Sequence, residues 1–156
     1  GVWPALWMMP EKSVYGSWPR SGEIDIVETI NEKSDELVTT IHYGHDYHRQ
    51  ISKTTFLNQL TKLSNPIDHN KISLIWEDEY FEWLLNDQLV FKVNFNEVEN
   101  LEPNPFLEEF YLLINVAVGG NWPGTPNSTM YCNSRKSCPD VKKLIVDYIA
   151  YYEKIN

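Results

Sequence analysis

The 156-residue sequence has few basic residues, few cysteines and no long apolar run. Lys and Arg number 13 against 22 Asp and Glu, and the net charge of −9 argues against nucleic acid and anionic membranes as partners. The longest apolar stretch, residues 112–118, is far shorter than the roughly 20 residues that cross a membrane. An uncharged ligand is compatible with this composition, and we expect no cofactor.

Cysteine occurs only at Cys132 and Cys138, within a polar stretch. A metal site would need more soft ligands than this stretch offers. We expect a local disulfide, with two free thiols as the alternative. A disulfide would indicate an oxidising compartment, so we predict a secreted, extracellular protein.

What the chain does contain is a series of short apolar or alternating segments separated by Gly, Pro, Asn and Asp. No stretch sustains a helical period, and such a pattern predicts an all-β sandwich or barrel. We expect the segment 110–118, almost wholly apolar, to be buried on both faces. The predicted strands are 3–9, 23–30, 37–43, 71–76, 80–85, 89–95, 110–118 and 144–152, with a turn at 86–87 and one helical turn within 96–107.

Three carboxylates lie close together in the stretch Ser-Gly-Glu-Ile-Asp-Ile-Val-Glu, residues 21–28. On a strand, Glu23 and Asp25 share one face, while strict alternation would turn Glu28 toward the apolar side. Burying an unpaired carboxylate there is costly. One extra residue at about Ile26-Val27 would return Glu28 to the face of the other two, so the sequence predicts a β-bulge.

A bulge would leave the two Glu Cα atoms roughly 13 Å apart, and inclined side chains would bring the carboxyl groups to about 5 Å. Retaining glycosidases hold their two carboxyl groups at about 5–5.5 Å. A solvated strand face and a hard-metal site remain alternatives. Trp18 lies just upstream of the carboxylates, and Trp122 lies in a second loop that is rich in Gly and Pro. Carboxylates with flanking Trp favour a carbohydrate site.

Several motifs together resemble glycoside hydrolase family 16, and in particular its laminarinase-like endo-β-1,3-glucanase branch. They cover nearly the whole chain in the family's order. The motifs are WPALWMMP (3–10), YGSWPRSGEIDIVE (15–28), IHYG (41–44), IWEDEYFEWLLNDQ (75–88), FYLLINVAVGGNWPG (110–124) and VDYIAYY (146–152).

The resemblance implies a jelly-roll β-sandwich, a concave glycan cleft and a retaining mechanism. Carried over by position, Glu23 is the nucleophile, Asp25 the assisting acid and Glu28 the general acid/base. It also implies that Trp18 and Trp122 bind substrate.

The resemblance suggests two further substrate-binding residues, with alternatives open. His42 could instead be a hydrogen-bonded structural residue, and Asn121 could simply shape its loop. We expect Trp3 and Trp7 to belong to the core. Asp147 matches a calcium ligand of some family members, but we predict no metal.

The sequence starts within the family pattern, so we expect a single catalytic domain over 1–156 that is N-terminally incomplete. The partner would be a β-glucan, and the full domain would be monomeric. A non-catalytic β-1,3-glucan recognition protein and a glucan transglycosylase are the alternative functions. Proteins of the first kind typically lose the three carboxylates, which this chain retains.

Overall fold

The computed structural model describes residues 1–30, 33, 35–57, 69–126 and 144–154. It divides into two compact units, Gly1–Pro126 and Asn127–Asn156. Cys132 and Cys138 lie outside the described residues. Within the described part of the chain, no helix is long and apolar enough to cross a membrane.

The first unit is built from antiparallel strands in two sheets, so the predicted all-β class is confirmed. Strands β4-β3-β2-β1-β8 form one sheet and β5-β6-β7 the other. Two short 3₁₀ turns, Phe95–Glu97 and Pro105–Leu107, follow β7. The strands are β1 Val2–Pro10, β2 Glu23–Glu28, β3 Glu36–Tyr43, β4 Arg49–Phe56, β5 Ile72–Glu77, β6 Tyr80–Leu85, β7 Gln88–Asn94 and β8 Phe110–Val118.

The core lies between the two sheets. Alternate apolar residues of β2 and β3 pack against aromatic residues of the smaller sheet and of the loops that follow it. Trp83 and Phe81 of β6 are fully buried there. The inner face of the larger sheet is thus apolar, and its opposite face is free to present polar groups. The buried cluster comprises Ile24, Ile26, Ile41, Tyr43, Phe81, Trp83, Val93, Phe95, Leu101 and Phe106.

The predicted turn at 86–87 is present. Asn86 and Asp87 have φ values of 49° and 67°, the left-handed conformation that a tight hairpin turn requires and that Asn and Asp tolerate. The strand β4 was not predicted. Its sequence, Arg-Gln-Ile-Ser-Lys-Thr-Thr-Phe, is largely polar because β4 lies at a sheet edge with both faces partly exposed.

Two expectations about apolar segments are wrong. Strand β8 is not buried on both faces, since Leu112, Ile114, Val116 and Val118 are between 37% and 63% exposed. It lies at the other edge of the larger sheet, and among its residues that face the sandwich interior only Phe110 packs against the core. A continuous apolar run does not reveal what covers each face.

The segment 144–154 of the second unit contains no strand and is exposed throughout, although 144–152 was predicted as one. Alternation of apolar residues makes a strand only where a neighbouring backbone completes its hydrogen bonds.

Candidate active site

Strand β2 presents three carboxylates on the face of the larger sheet that points away from the core. Asp25 lies opposite Trp7 and Glu28 opposite Ala5, so three steps along β2 match two along β1. The same shift separates Asp25 and Glu28 in the pairing with β3. The predicted bulge is therefore confirmed: Ile26 remains buried in the core, and Glu28 returns to the face of Glu23 and Asp25.

The loop before β2 places Trp18 over Glu23. The Ser21 hydroxyl is buried, accepts the backbone N–H of Tyr15 at 3.1 Å and donates to the carbonyl of Gly16 at 2.8 Å. These bonds close the loop on itself. The indole Nε1 of Trp18 donates to Oε2 of Glu23 at 2.5 Å, while the side chain stays 48% exposed. Trp18 can thus hold one oxygen of Glu23 and still offer a ring to a ligand.

His42 on β3 lies opposite Glu23 and contacts Asp25. Its Nε2 is 3.0 Å from Oδ2 of Asp25, whose side chain is almost completely buried. That Oδ2 atom has no well-aligned hydrogen bond, so the contact depends on how the imidazole ring is protonated and turned. The ring of His42 therefore lies beside the carboxylates.

Glu28 is held from the opposite side by tryptophan. The indole Nε1 of Trp3 donates to Oε1 of Glu28 at 2.9 Å. The ring of Trp122 meets that of Trp3 edge-on, with centroids 5.2 Å apart, and is 42% exposed. Gly120 has a φ of 134°, and a Cβ on Gly120 would lie 3.8 Å from the ring of Trp3. The Gly-Gly-Asn-Trp-Pro-Gly turn thus packs against Trp3. Trp122 therefore flanks Glu28 through Trp3.

The expectation that Trp3 and Trp7 belong to the core is wrong. Both are only half-buried and lie on the carboxylate face, because Trp7 pairs with Asp25 and Trp3 contacts Glu28. Trp7 donates its indole N–H to Oδ1 of Asn115 at 2.7 Å. Asn121 is exposed in the turn beside Trp122, and within the described residues it makes no hydrogen bond to the carboxylates.

Burial changes the acidity of the three carboxyl groups. It raises the pKa of Asp25 to about 7. Burial, followed by the charge of Asp25, raises the pKa of Glu28 to about 7, although the Trp3 hydrogen bond opposes this. The same two causes raise the pKa of Glu23. Near neutral pH the cluster therefore retains protons, so one carboxyl group can donate a proton while another is ionised.

One nitrogen of His42 and one oxygen each of Glu23 and Asp25 lie within 4.8 Å of one another. These three atoms could contact a single cation. However, Trp18 already donates a hydrogen bond to Glu23, and the imidazole of His48 already contacts His42. We therefore predict that this site binds no metal.

Comparison with known proteins supports the assignment made from the motifs. A model described as "XgeA-like, catalytic GH16 domain" matches residues 1–74. A glucan endo-1,3-beta-glucosidase A1 of Niallia circulans is 35% identical, over 99% of this chain and 22% of that protein. A glucan endo-1,3-beta-glucosidase of Cryptopygus antarcticus is 36% identical, over 79% of this chain and 47% of that protein.

The solved laminarinase catalytic domain of Thermotoga maritima superposes with a TM-score of 0.72 at 30% identity, over 85% of this chain and 53% of that one. The chain is thus similar to the catalytic domains of glycoside hydrolase family 16. Its sandwich is accordingly the jelly roll of that family. The chain spans about half or less of the length of these relatives.

One residue beside the carboxylates was missed in the sequence. His48 lies on the loop between β3 and β4, and its Nε2 is 2.8 Å from Nδ1 of His42. Its ring also contacts that of Trp18, with centroids 4.7 Å apart. The only sequence signal is a second histidine just beyond a Gly-His-Asp-Tyr turn, which alone does not separate it from a surface residue.

Proposed function

We propose that this protein is a retaining endo-glycoside hydrolase that cleaves β-1,3-glucosidic bonds in β-glucans such as laminarin. One observation carries the proposal. A one-residue bulge brings Glu23 and Glu28 to the same face of one strand, with buried Asp25 between them. A retaining mechanism requires two such carboxyl groups on one side of the scissile bond.

Each carboxyl group has a distinct role in this mechanism. Ionised Glu23 attacks the anomeric carbon, and Glu28 gives its proton to the departing glycosidic oxygen, which leaves a covalent glycosyl ester on Glu23. Glu28 then takes a proton from water, whose oxygen displaces Glu23 and releases the sugar with retained configuration. The Trp18 N–H steadies the nucleophile, and burial keeps a proton on Glu28 near neutral pH.

Substrate binding would rest on exposed aromatic rings near these groups. Trp18 and Trp122 offer flat faces for the C–H faces of sugar rings, on the Glu23 and Glu28 sides respectively. Two relatives of this chain are glucan endo-1,3-beta-glucosidases, which supports the β-1,3 linkage as the target. Secretion remains part of the proposal and rests on the expected Cys132–Cys138 disulfide, which mass measurement after thiol alkylation would test.

The test is release of reducing ends from laminarin by the protein beside its Glu23→Gln variant. We expect release by the wild type and a fall of at least about a thousandfold in the variant, because the nucleophile is lost. Laminarin retained by Glu23→Gln in a pull-down would show that binding survives.

Equal release by both proteins would refute the nucleophile assignment. If neither protein releases reducing ends, while circular dichroism shows folded protein and laminarin is still bound, the result would favour glucan recognition without cleavage. Retention of configuration, followed by proton NMR of the first product, separates the retaining from the inverting mechanism.

A further inference from the structure

His48 contacts two members of the active-site cluster from a loop that follows β3. Its Nε2 lies 2.8 Å from Nδ1 of His42, and its ring is 4.7 Å from the ring of Trp18 between centroids. His42 in turn reaches Asp25, and Trp18 reaches Glu23. His48 therefore connects Trp18, which holds Glu23, to His42, which contacts Asp25.

The loop that carries His48 is built to hold a defined shape. Gly44 has φ 116°, and a Cβ there would collide with the carbonyl oxygen of Tyr47, so only glycine fits. Asp46 pairs with Arg49 and accepts the backbone N–H of Tyr47 at 3.0 Å. The Arg49 guanidinium lies 3.8 Å from the centre of the Tyr47 ring. These contacts fix the backbone on both sides of His48.

Two neutral imidazole rings joined by one hydrogen bond must share donor and acceptor roles. Burial lowers the pKa of both His42 and His48, so both rings are neutral near pH 7. If His48 Nε2–H donates, His42 must accept at Nδ1 and therefore carries its proton on Nε2, which faces Asp25. In the opposite arrangement His42 would turn a lone pair toward Asp25.

These two arrangements differ in where the proton of Asp25 can go. One oxygen of Asp25 and one of Glu23 lie within 4.8 Å of each other, beside a ring nitrogen of His42. When His42 donates to Oδ2 of Asp25, the acidic proton of Asp25 is free to point to Glu23, which then stays an ionised nucleophile with a second donor in Trp18. When His42 accepts, it competes with Glu23 for that proton.

We propose that His48 is a positioning residue that fixes the Nε2–H tautomer of His42 and thereby directs the proton of Asp25 to Glu23. This inference rests on the proposed role of Glu23 as nucleophile. His48 need not touch the substrate to act in this way, because its effect passes through His42. The competing possibility is that the His48 ring matters only as an extension of the Trp18 stacking surface.

Two substitutions separate these possibilities. His48→Phe keeps an aromatic ring against Trp18 but removes the hydrogen bond to His42. His48→Gln removes the ring but keeps an amide N–H at about the distance of Nε2 from the backbone. His45→Gln is the matched control, since His45 lies in the same loop and contacts Tyr15 and the carbonyl of Pro103 instead.

The first readout is independent of catalysis. In ¹⁵N-histidine NMR spectra at neutral pH we expect His42 to be protonated on Nε2 in the wild type, in His48→Gln and in His45→Gln, and to lose this preference in His48→Phe. A His42 tautomer that is the same in wild type and His48→Phe would overturn the inference, whether or not the protein cleaves laminarin.

The second readout is turnover of laminarin. We expect His48→Phe to lower kcat about tenfold with KM within about twofold, and His48→Gln to retain most of the activity. In a His42→Phe background, His48→Phe should have no further effect. The reverse pattern, with His48→Gln raising KM and His48→Phe active, would assign His48 to sugar stacking. A wild type inactive on laminarin would instead count against the proposed function, and the NMR result would still decide the role of His48.

Discussion

Replacing Asp25 with Asn should stabilise the fold at high pH, at the expense of activity. Asp25 is 1% exposed, and burial raises its pKa from 3.8 to about 7. The folded state thus binds this proton more tightly than the unfolded chain does, so the contribution of Asp25 to stability is complete below pH 3.8 and is lost as pH rises toward 7. The interval of about three pH units corresponds to about 4 kcal/mol, at about 1.4 kcal/mol per unit, as an upper limit.

The assay is urea unfolding of wild type and Asp25→Asn at pH 4 and at pH 8. The amide is neutral at both values and nearly isosteric, so the variant should gain stability relative to wild type between the two, by about 2–4 kcal/mol. The control is Asp78→Asn in the exposed β5–β6 turn, which should change stability by less than about 0.5 kcal/mol at either pH.

The comparison across pH isolates the charge of Asp25. A weaker interaction with His42 would cost the variant stability at both pH values, but it would not by itself create a difference that grows with pH. If the difference in unfolding free energy between wild type and Asp25→Asn is the same at pH 4 and pH 8, burial does not raise the pKa of Asp25. The assignment of protons within the cluster would then fail.

Two further predictions concern the tryptophans around Glu28. Trp3→Phe removes the indole hydrogen bond that lowers the pKa of Glu28. A bond worth about 1 kcal/mol corresponds to about 0.7 of a pH unit, so the alkaline limb of kcat/KM should move upward by about that amount, and a limb that stays or moves downward would contradict this. Trp122→Ala should weaken laminarin binding by about tenfold while lowering the melting temperature by less than about 3 °C, and a large loss of melting temperature with unchanged binding would make Trp122 a packing residue.

The bulge in β2 could be predicted because it follows from a local conflict. Alternation assigns Glu28 to the apolar side, and the cost of burying its charge there leaves an extra residue at Ile26-Val27 as the solution. The strands β5 to β7 could also be predicted from the sequence, because their alternation and the Asn86-Asp87 turn are both local signals.

The errors arose where the outcome depends on distant neighbours. Strand β8 and the segment 144–152 have the composition of buried strands, yet one is an exposed edge strand and the other has no strand structure. The polar strand β4 shows the converse, because pairing with β3 forms it without apolar alternation. Covering of a face and pairing of an edge are properties of the assembled sheets.

The sequence by itself determined the all-β class, the shared face of Glu23, Asp25 and Glu28, and the bulge that unites them, because strand periodicity and the cost of burying charge act over a few residues. The tertiary structure alone decided which groups hold these carboxylates: Trp3 on Glu28 from 25 positions away, and His48 on His42 from the next loop. It also decided their acidity. A pKa depends on burial and on atoms brought close in space, and strand alternation does not specify which side chains of neighbouring strands and loops will meet.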